Sequence, residues 1–234
     1  LPSGEIVTLN EDGTLSIQTD GDLGNQAFSY EVEDSDGNTD TGFVKVTTTT
    51  APCFVAGTEI VTQTGLKKVE DLMPGDMVLT RDNGFQSLIW IGTTTRQATG
   101  SDAPIRLEKD ALGNHGSVEF SPNHRILIKS SQAAMLFGES EVLVKAKHLV
   151  NDHSIRVQAN GEPVTYVHLL FDQHEIVSGN GLESESYHPG AETLDAFDPE
   201  TRAEVLHLMD DWQNYGPTAR PSLKSHESKL VLKF

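Results

Sequence analysis

Short apolar-polar alternations, cut by glycine-bearing turns, constrain this chain more tightly than any other feature of its sequence. Between residues 58 and 91, Thr58-Glu-Ile-Val-Thr62, Lys67-Lys-Val-Glu-Asp-Leu72, Met77-Val-Leu-Thr80 and Ser87-Leu-Ile-Trp-Ile91 read as strands. Gln63-Thr-Gly65, Pro74-Gly-Asp76 and Asp82-Asn-Gly84 read as the turns between them. Frequent turns with few helix signals predict an all-β domain.

Residues 1–50 carry the same signature. Ile6-Val-Thr-Leu9 and Thr14-Leu-Ser-Ile17 flank the turn Glu11-Asp-Gly13, Phe28-Ser-Tyr-Glu-Val32 alternates at the period of a half-buried strand, and Phe43-Val-Lys-Val46 closes the pattern. Three or four such strands make a marginal sheet, so this segment reads as the C-terminal part of a larger sandwich. The order Leu-Ser-Ile, Phe-Ser-Tyr-Glu-Val-Glu-Asp-Ser-Asp-Gly, Phe-Val-Lys-Val resembles the cadherin-like or immunoglobulin-like modules of large secreted bacterial adhesins. Asp34, Asp36, Asn38 and Asp40 alternate as oxygen ligands for a candidate calcium site, although Asp-Gly-Asn is also ordinary turn chemistry. An EF-hand is rejected, because the closing bidentate Glu is missing. Thr47-Thr-Thr-Thr-Ala-Pro52 then reads as an extended linker.

Composition narrows the partners. With 234 residues, 36% of them hydrophobic, the chain can bury a core, and its length suits one large all-β unit or two smaller domains. The formal net charge is -18, from 35 acidic against 17 basic residues. Nucleic-acid binding needs a cationic surface to replace counterions, so no nucleic-acid partner is expected and anionic membranes are disfavoured. No apolar stretch approaches the roughly 20 residues of a membrane helix, and no signal peptide opens the chain. The first residue is Leu rather than Met, which reads as a fragment with any secretion signal outside it. A single cysteine leaves no intramolecular disulfide framework and no multi-cysteine metal site.

That cysteine, Cys53, stands where the threonine linker meets strand-like sequence, a position from which a thiol can act on its own peptide bond. The run CFVAGTEIVTQTGLKKVEDLMPGDMVLT from Cys53, FSPNHRILIKS from Phe120 to Ser130, and YVHLLFDQHEIVSGNGL from Tyr166 to Leu182 together resemble the Hint domain shared by hedgehog autoprocessing domains and inteins. Within that group the chain is most similar to bacterial Hint-type domains at the ends of secreted proteins.

The resemblance implies a flattened horseshoe of strands and an N-to-S acyl shift, in which the Cys53 sulfur attacks the Pro52 carbonyl and the amide becomes a thioester. Cysteine suits this step because it is nucleophilic even as a minor thiolate fraction. Ser121-Pro-Asn-His124 matches the family's Thr-x-x-His with Ser in place of Thr. By that match His124 is the general acid for the Cys53 nitrogen, and first a base for the thiol, while Ser121 bonds the scissile amide and helps twist it. His174 occupies the place of a histidine in the family's last motif, where it either polarises the site or caps a turn. His168, alternating with Tyr166 and Leu170, reads as a core or supporting residue rather than a catalytic one, and Asp172 as a solvated turn carboxylate. None of the nine histidines pairs with a carboxylate at zinc-like spacing, so no catalytic metal and no cofactor are expected, calcium in the N-terminal module apart.

Departures from the family limit the outcome. After Asn180-Gly-Leu182 comes Glu183-Ser-Glu-Ser-Tyr-His188 with no terminal asparagine, so full splicing is not expected; Ser184 and Ser186 read as residues of a polar turn. Trp90-Ile-Gly-Thr-Thr94 holds no acid, so sterol transfer is not supported. The acyl acceptor is then water, a small thiol or an amine, and the substrate is the chain's own N-terminal flank.

Beyond Ser186, Asp198 before Pro199 is a helix start signal, with Leu206 and Met209 on the face of Arg202 and Val205. The apolar end of the tail, to Phe234, reads as an edge strand. The expected organisation is a partial β module at 1–50, a self-processing all-β domain at 51–186, and a helical appendage with a tail at 187–234. The expected function is single-turnover, cysteine-dependent autoproteolysis outside the cell or on its surface. The alternatives are an inactive Hint fold serving as a secreted adhesin or interaction module, and a cysteine hydrolase acting in trans.

Overall fold

The computed structural model describes residues 6–9, 15–18, 24–33, 37, 39–48, 51–190, 197, 199–208 and 215–232. The chain divides into two compact units, Leu1–Thr49 and Thr50–Phe234. The first unit holds two antiparallel pairs, β1 (Ile6–Leu9) with β2 (Leu15–Gln18) and β3 (Gly24–Glu33) with β4 (Thr39–Thr48). Of the candidate calcium set, Asp34, Asp36 and Asn38 lie outside the described residues. Asp40 is on β4, its Oδ1 accepting from the Thr41 N–H at 2.9 Å.

The second unit is built from two open sheets. Its strands begin with β5 (Phe54–Val55), β6 (Glu59–Thr62), β7 (Gly65–Lys68), β8 (Met77–Thr80), β9 (Gly84–Ser87) and β10 (Trp90–Gln97). They continue with β11 (Ile105–Leu107), β12 (Val118–Phe120), β13 (Arg125–Lys129), β14 (Glu141–Lys145) and β15 (Ile155–Val157). The last are β16 (Pro163–Leu170), β17 (Ile176–Gly179) and β18 (Leu182–Glu185). One sheet runs β10-β16-β5-β12-β11-β15; the other runs β14-β13-β18-β17-β6-β8-β9, with β7 paired to β6. The all-β expectation is met, and the core between the sheets is aliphatic and aromatic, with Phe54, Phe120, Ile126, Leu107 and Phe171 almost fully buried. Removing such side chains from water is the main force holding a unit of this kind together.

Three local features differ from the sequence reading. Lys67–Leu72 is a strand only to Lys68, after which Val69–Asp71 forms a 3-10 turn. Ser184 and Ser186 are buried, Ser184 within β18, rather than lying in a polar turn. Ser225–Val231 of the tail is a helix where an edge strand was expected.

Helices are few: α1 (Ser131–Phe137), α2 (Pro199–Leu208) and α3 (Ser225–Val231). In α3 the Glu227 carboxylate accepts from the Lys224 N–H at 2.7 Å, and Ser228 and Val231, one turn apart, face inward. Edge pairing does occur, earlier in the tail, as a parallel bridge between Leu143 and Ser222. The start of α2 at Pro199 fits the expected first-turn proline. On α2, Val205 is buried while Arg202 is exposed, and Met209 lies outside the described residues.

Candidate active site

Strand β5 is two residues long and wedged between two neighbours. Phe54 pairs with Phe120 of β12 on one side and Val167 of β16 on the other, and Val55 pairs with Tyr166. This double pairing brings the segment Ala51-Pro52-Cys53 into the core, against the end of β12 and the middle of β16. Both Ala51 and Cys53 are 3% exposed.

The loop after β12 grips this segment. Cys53 N–H donates to Ser121 Oγ at 3.0 Å, Ser121 Oγ donates to the Ala51 carbonyl at 3.2 Å, and Ser121 N–H donates to the Cys53 carbonyl at 3.0 Å. The Cys53 thiol also donates to the Ala51 carbonyl, at 2.9 Å. Burial pushes the thiol well above its ordinary pKa, while the Ser121 contact and the Arg96 charge pull the other way. At rest the sulfur is therefore protonated.

His168, from β16, reaches the same peptide from the other side. Its Nδ1 lies 3.1 Å from the Pro52 carbonyl oxygen, and both ring nitrogens lie 3.5 Å from Cys53 Sγ. A carbonyl oxygen can only accept, so Nδ1 carries the proton and Nε2 is left as the base. Burial lowers the His168 pKa to about 4, against a rise from the Pro52 contact, and keeps the ring neutral. The ring stands between the Trp90 indole, stacked at 6.4 Å, and the edge of Phe197 at 4.9 Å. Trp90 can fold along the sheet face because residue 92 is glycine; a Cβ there would stand 2.1 Å from the indole.

His124 is buried behind the cysteine. Its ring stacks on Phe120 at 4.5 Å and meets Phe54 edge-on at 4.7 Å, and neither ring nitrogen has a hydrogen-bond partner. Burial lowers its pKa to about 3, with Glu185 opposing and His168, Arg125 and His174 adding to the fall. No hydrogen bond joins His124 to the Cys53 nitrogen, whose N–H is taken by Ser121. A planar amide nitrogen has no lone pair to offer an acid, so that bond belongs to a later stage of any reaction.

His174 is set further back. Its Nδ1 accepts from the Ala219 N–H at 2.8 Å, which places the ring proton on Nε2, 3.2 Å from Glu185 Oε2. That approach is an electrostatic contact rather than an aligned hydrogen bond; the Glu185 carboxylate accepts from the Arg125 N–H at 2.9 Å and from its guanidinium at 3.0 Å. Burial raises the Glu185 pKa, but His174 and Arg125 outweigh it and hold the carboxyl below its ordinary value. Asp172 is exposed and is not a partner of His174.

The structure thus brings Cys53, Ser121 and His168 into direct contact, with His124 packed alongside and His174 joined to the group through Glu185. Sequence reasoning placed His168 on the correct strand face but gave it a core or supporting role rather than a catalytic one, and did not single out Glu185. For His168 a usable signal was its parity with Tyr166; for Glu185, the carboxylate partner of a backbone N–H far away in the chain, there was none. Among the described residues, no group of three or more His, Cys, Asp or Glu side chains could hold a metal ion.

Residues 52–191 match the family model described as the Hint domain, and the chain belongs to that family. Residues 1–47 match the model for the bacterial Ig domain. Among solved structures, the chain is similar to the splice-inactive AceL NrdHF class 3 split intein, at 16% identity over 58% of this chain and 97% of that one, with a TM-score of 0.40. It is also similar to the bacterial intein-like domain from Clostridium thermocellum, at 18% identity over 58% and 97% of the two chains, with a TM-score of 0.40. The gp41-1 intein gives 11% identity over 58% and 98%, with a TM-score of 0.35. A search of curated proteins gave no match. The two open sheets are a Hint fold, and the family is one of self-processing domains acting on flanking sequence.

Proposed function

We propose that this domain forms a thioester by an N-to-S acyl shift at the Pro52–Cys53 bond and so cleaves or transfers its N-terminal flank. One observation carries the reading: a single peptide bond is held at both ends, its N–H by Ser121 Oγ at 3.0 Å and its carbonyl oxygen by His168 Nδ1 at 3.1 Å, beside the chain's only thiol. A donor already aimed at a carbonyl is placed to stabilise the oxyanion that develops there.

The chemistry then follows from the contacts. His168 Nε2 takes the thiol proton, and the sulfur attacks the Pro52 carbonyl carbon. The imidazolium so formed strengthens the hydrogen bond from Nδ1 to the growing oxyanion. As the Cys53 nitrogen becomes pyramidal it gains a lone pair. His124 gives a proton to this nitrogen, the C–N bond breaks to leave a thioester and a free amine, and the proton that His168 took from the thiol is returned to restore His124, so that one proton in all moves from sulfur to nitrogen. Glu185, anchored by His174, fixes the Arg125 backbone beside His124 and acts as a positioning residue. Water, a small thiol or an amine resolves the thioester, and full splicing is not expected, because the segment after Asn180-Gly181 enters β18 without a terminal asparagine.

To test this, the purified chain and its Cys53→Ala variant are treated with a thiol or hydroxylamine and the products weighed. Cleavage between Pro52 and Cys53 is expected in the natural chain alone. Intact mass in both would sink the reading.

A second reading, an inactive Hint fold, is favoured by the resting thiol, which is buried, protonated and bonded back to Ala51. Under it the Ig unit carries the function, and calcium at Asp34, Asp36, Asn38 and Asp40 should raise the melting temperature without cleavage. The bacterial Ig match supports a place outside the cell or on its surface. Antibody labelling of intact cells and culture supernatant checks this, and a purely internal signal would refute it. Among the described residues no helix is long and apolar enough to cross a membrane.

A further inference from the structure

A narrow cleft leads to the thiol, and it is lined by a cation. Strand β10 is the edge of its sheet, and its register sets Gly92, Thr94 and Arg96 opposite His168, Tyr166 and Val164 of β16. Alternate residues of a strand share a face, so Arg96 stands in line with the histidine that contacts Cys53. Cys53, Thr94, Arg96, Tyr166, His168 and Phe197 surround a cleft of about 20 Å³, room for roughly one water-sized group. Arg96 is half-buried and, among the described residues, has no ion pair or side-chain hydrogen bond. In a chain of net charge -18, a guanidinium with no carboxylate partner among the described residues stands out. Other arginines of this unit are paired: Arg81 with Glu141 and Glu183, Arg106 with Glu108 and Glu119, Arg125 with Glu185, and Arg220 with Glu141 and Asp82.

We propose that Arg96 selects the acyl acceptor, and that the acceptor is a short thiol or amine bearing a carboxylate or other anionic group. This inference rests on the thioester reading above. The cleft admits the attacking atom beside Cys53, and the anionic group stays outside, against the guanidinium. A planar guanidinium with several donors is suited to grip such a group. The Asp102 charge opposes that of Arg96 in its effect on Cys53, and the Asp102 carbonyl is held by the Tyr166 hydroxyl. The transfer step balances without any oxidant. The acceptor's sulfur or nitrogen bonds to the Pro52 carbonyl carbon, the bond from that carbon to Cys53 Sγ breaks, and the proton lost by the acceptor restores the Cys53 thiol.

The test uses three thiols of similar length on the full chain: anionic 2-mercaptoethanesulfonate, neutral 2-mercaptoethanol and cationic cysteamine, with rates divided by the thiolate concentration of each. The anionic thiol is expected to release the flank fastest, by roughly fivefold over the neutral one, the scale of a single partly exposed charge pair. Arg96→Gln should collapse that ratio towards one, Arg96→Lys should keep most of it, and Arg96→Glu should invert the order. Circular dichroism establishes that each variant is folded. Equal rates for all three thiols in the natural chain, or an equal fall for all three in Arg96→Gln, would overturn the proposal while leaving the thioester reading intact. No Cys53-dependent release by any of them would overturn that reading, and this proposal with it.

Discussion

At the scale of single residues, Ser121 shows how much one hydroxyl can organise. It accepts from the Cys53 N–H and donates to the Ala51 carbonyl, both in the core. Ser121→Ala leaves a buried donor and a buried acceptor without this partner, and such a loss costs about 1–3 kcal/mol. Denaturant unfolding should show that fall, thiol-induced cleavage should slow, and Ser121→Thr, which restores the hydroxyl, should recover both.

The two neutral histidines make a second residue-scale prediction. His124 and His168 titrate at about 3 and about 4 in the fold, against 6.5 ordinarily. As pH falls through 6.5 the unfolded chain takes up protons that the folded chain refuses, so stability is complete above that value and is lost progressively towards pH 4. Each ring contributes a slope of up to about 1.4 kcal/mol per pH unit. Urea midpoints at three pH values should trace this slope, and His168→Gln should make it shallower. The Ser121-x-x-His124 pair was legible as a spacing. The contact of His168 with Cys53 was not, because strand parity says which face a side chain takes but not which distant segment covers it.

At the scale of elements, the hairpin joining β17 to β18 was missed, its second strand having been taken for a polar turn, although its turn residues carry the signal. Asn180 and Gly181 both have positive φ, 49° and 87°, as a two-residue turn of this kind requires, and an Asn-Gly pair favours it. Asn180 then ties the turn down, accepting from the Glu59 N–H at 2.7 Å and donating to the Ser117 carbonyl at 2.6 Å. Just before the turn, Gly179 leaves room for Phe54: a Cβ there would stand 2.9 Å from both the Phe54 ring and the Thr58 methyl. Gly179→Ala is therefore expected to push on the ring that packs against His124. A loss of about 1–3 kcal/mol should appear in thermal melts, with a slower cleavage rate. The tail helix escaped the sequence reading because its apolar residues fit a strand equally well. What decides for helix is the cap at Glu227, together with Arg220, whose guanidinium bridges Glu141 and Asp82 and fixes where the tail docks.

At the scale of the whole molecule, the division into two units falls at Thr49 and Thr50, three residues before the proposed scissile bond. The substrate end of the flank is nevertheless part of the second unit. Ala51 packs with Trp90, Leu170, Tyr187 and Val205, and its carbonyl is the anchor for both the thiol and Ser121. Cutting after Pro52 would therefore free a segment that the core was folded around. The uncut and the cut molecule should differ at a place a small reagent can find. Cys53, 3% exposed while the flank is attached, should resist iodoacetamide in native buffer and react readily once the flank has been released and washed away. Peptide mapping of alkylated samples would read this directly, and equal labelling of both forms would argue against it. Each copy would then carry, in the reactivity of one sulfur, a permanent record of whether it has already fired.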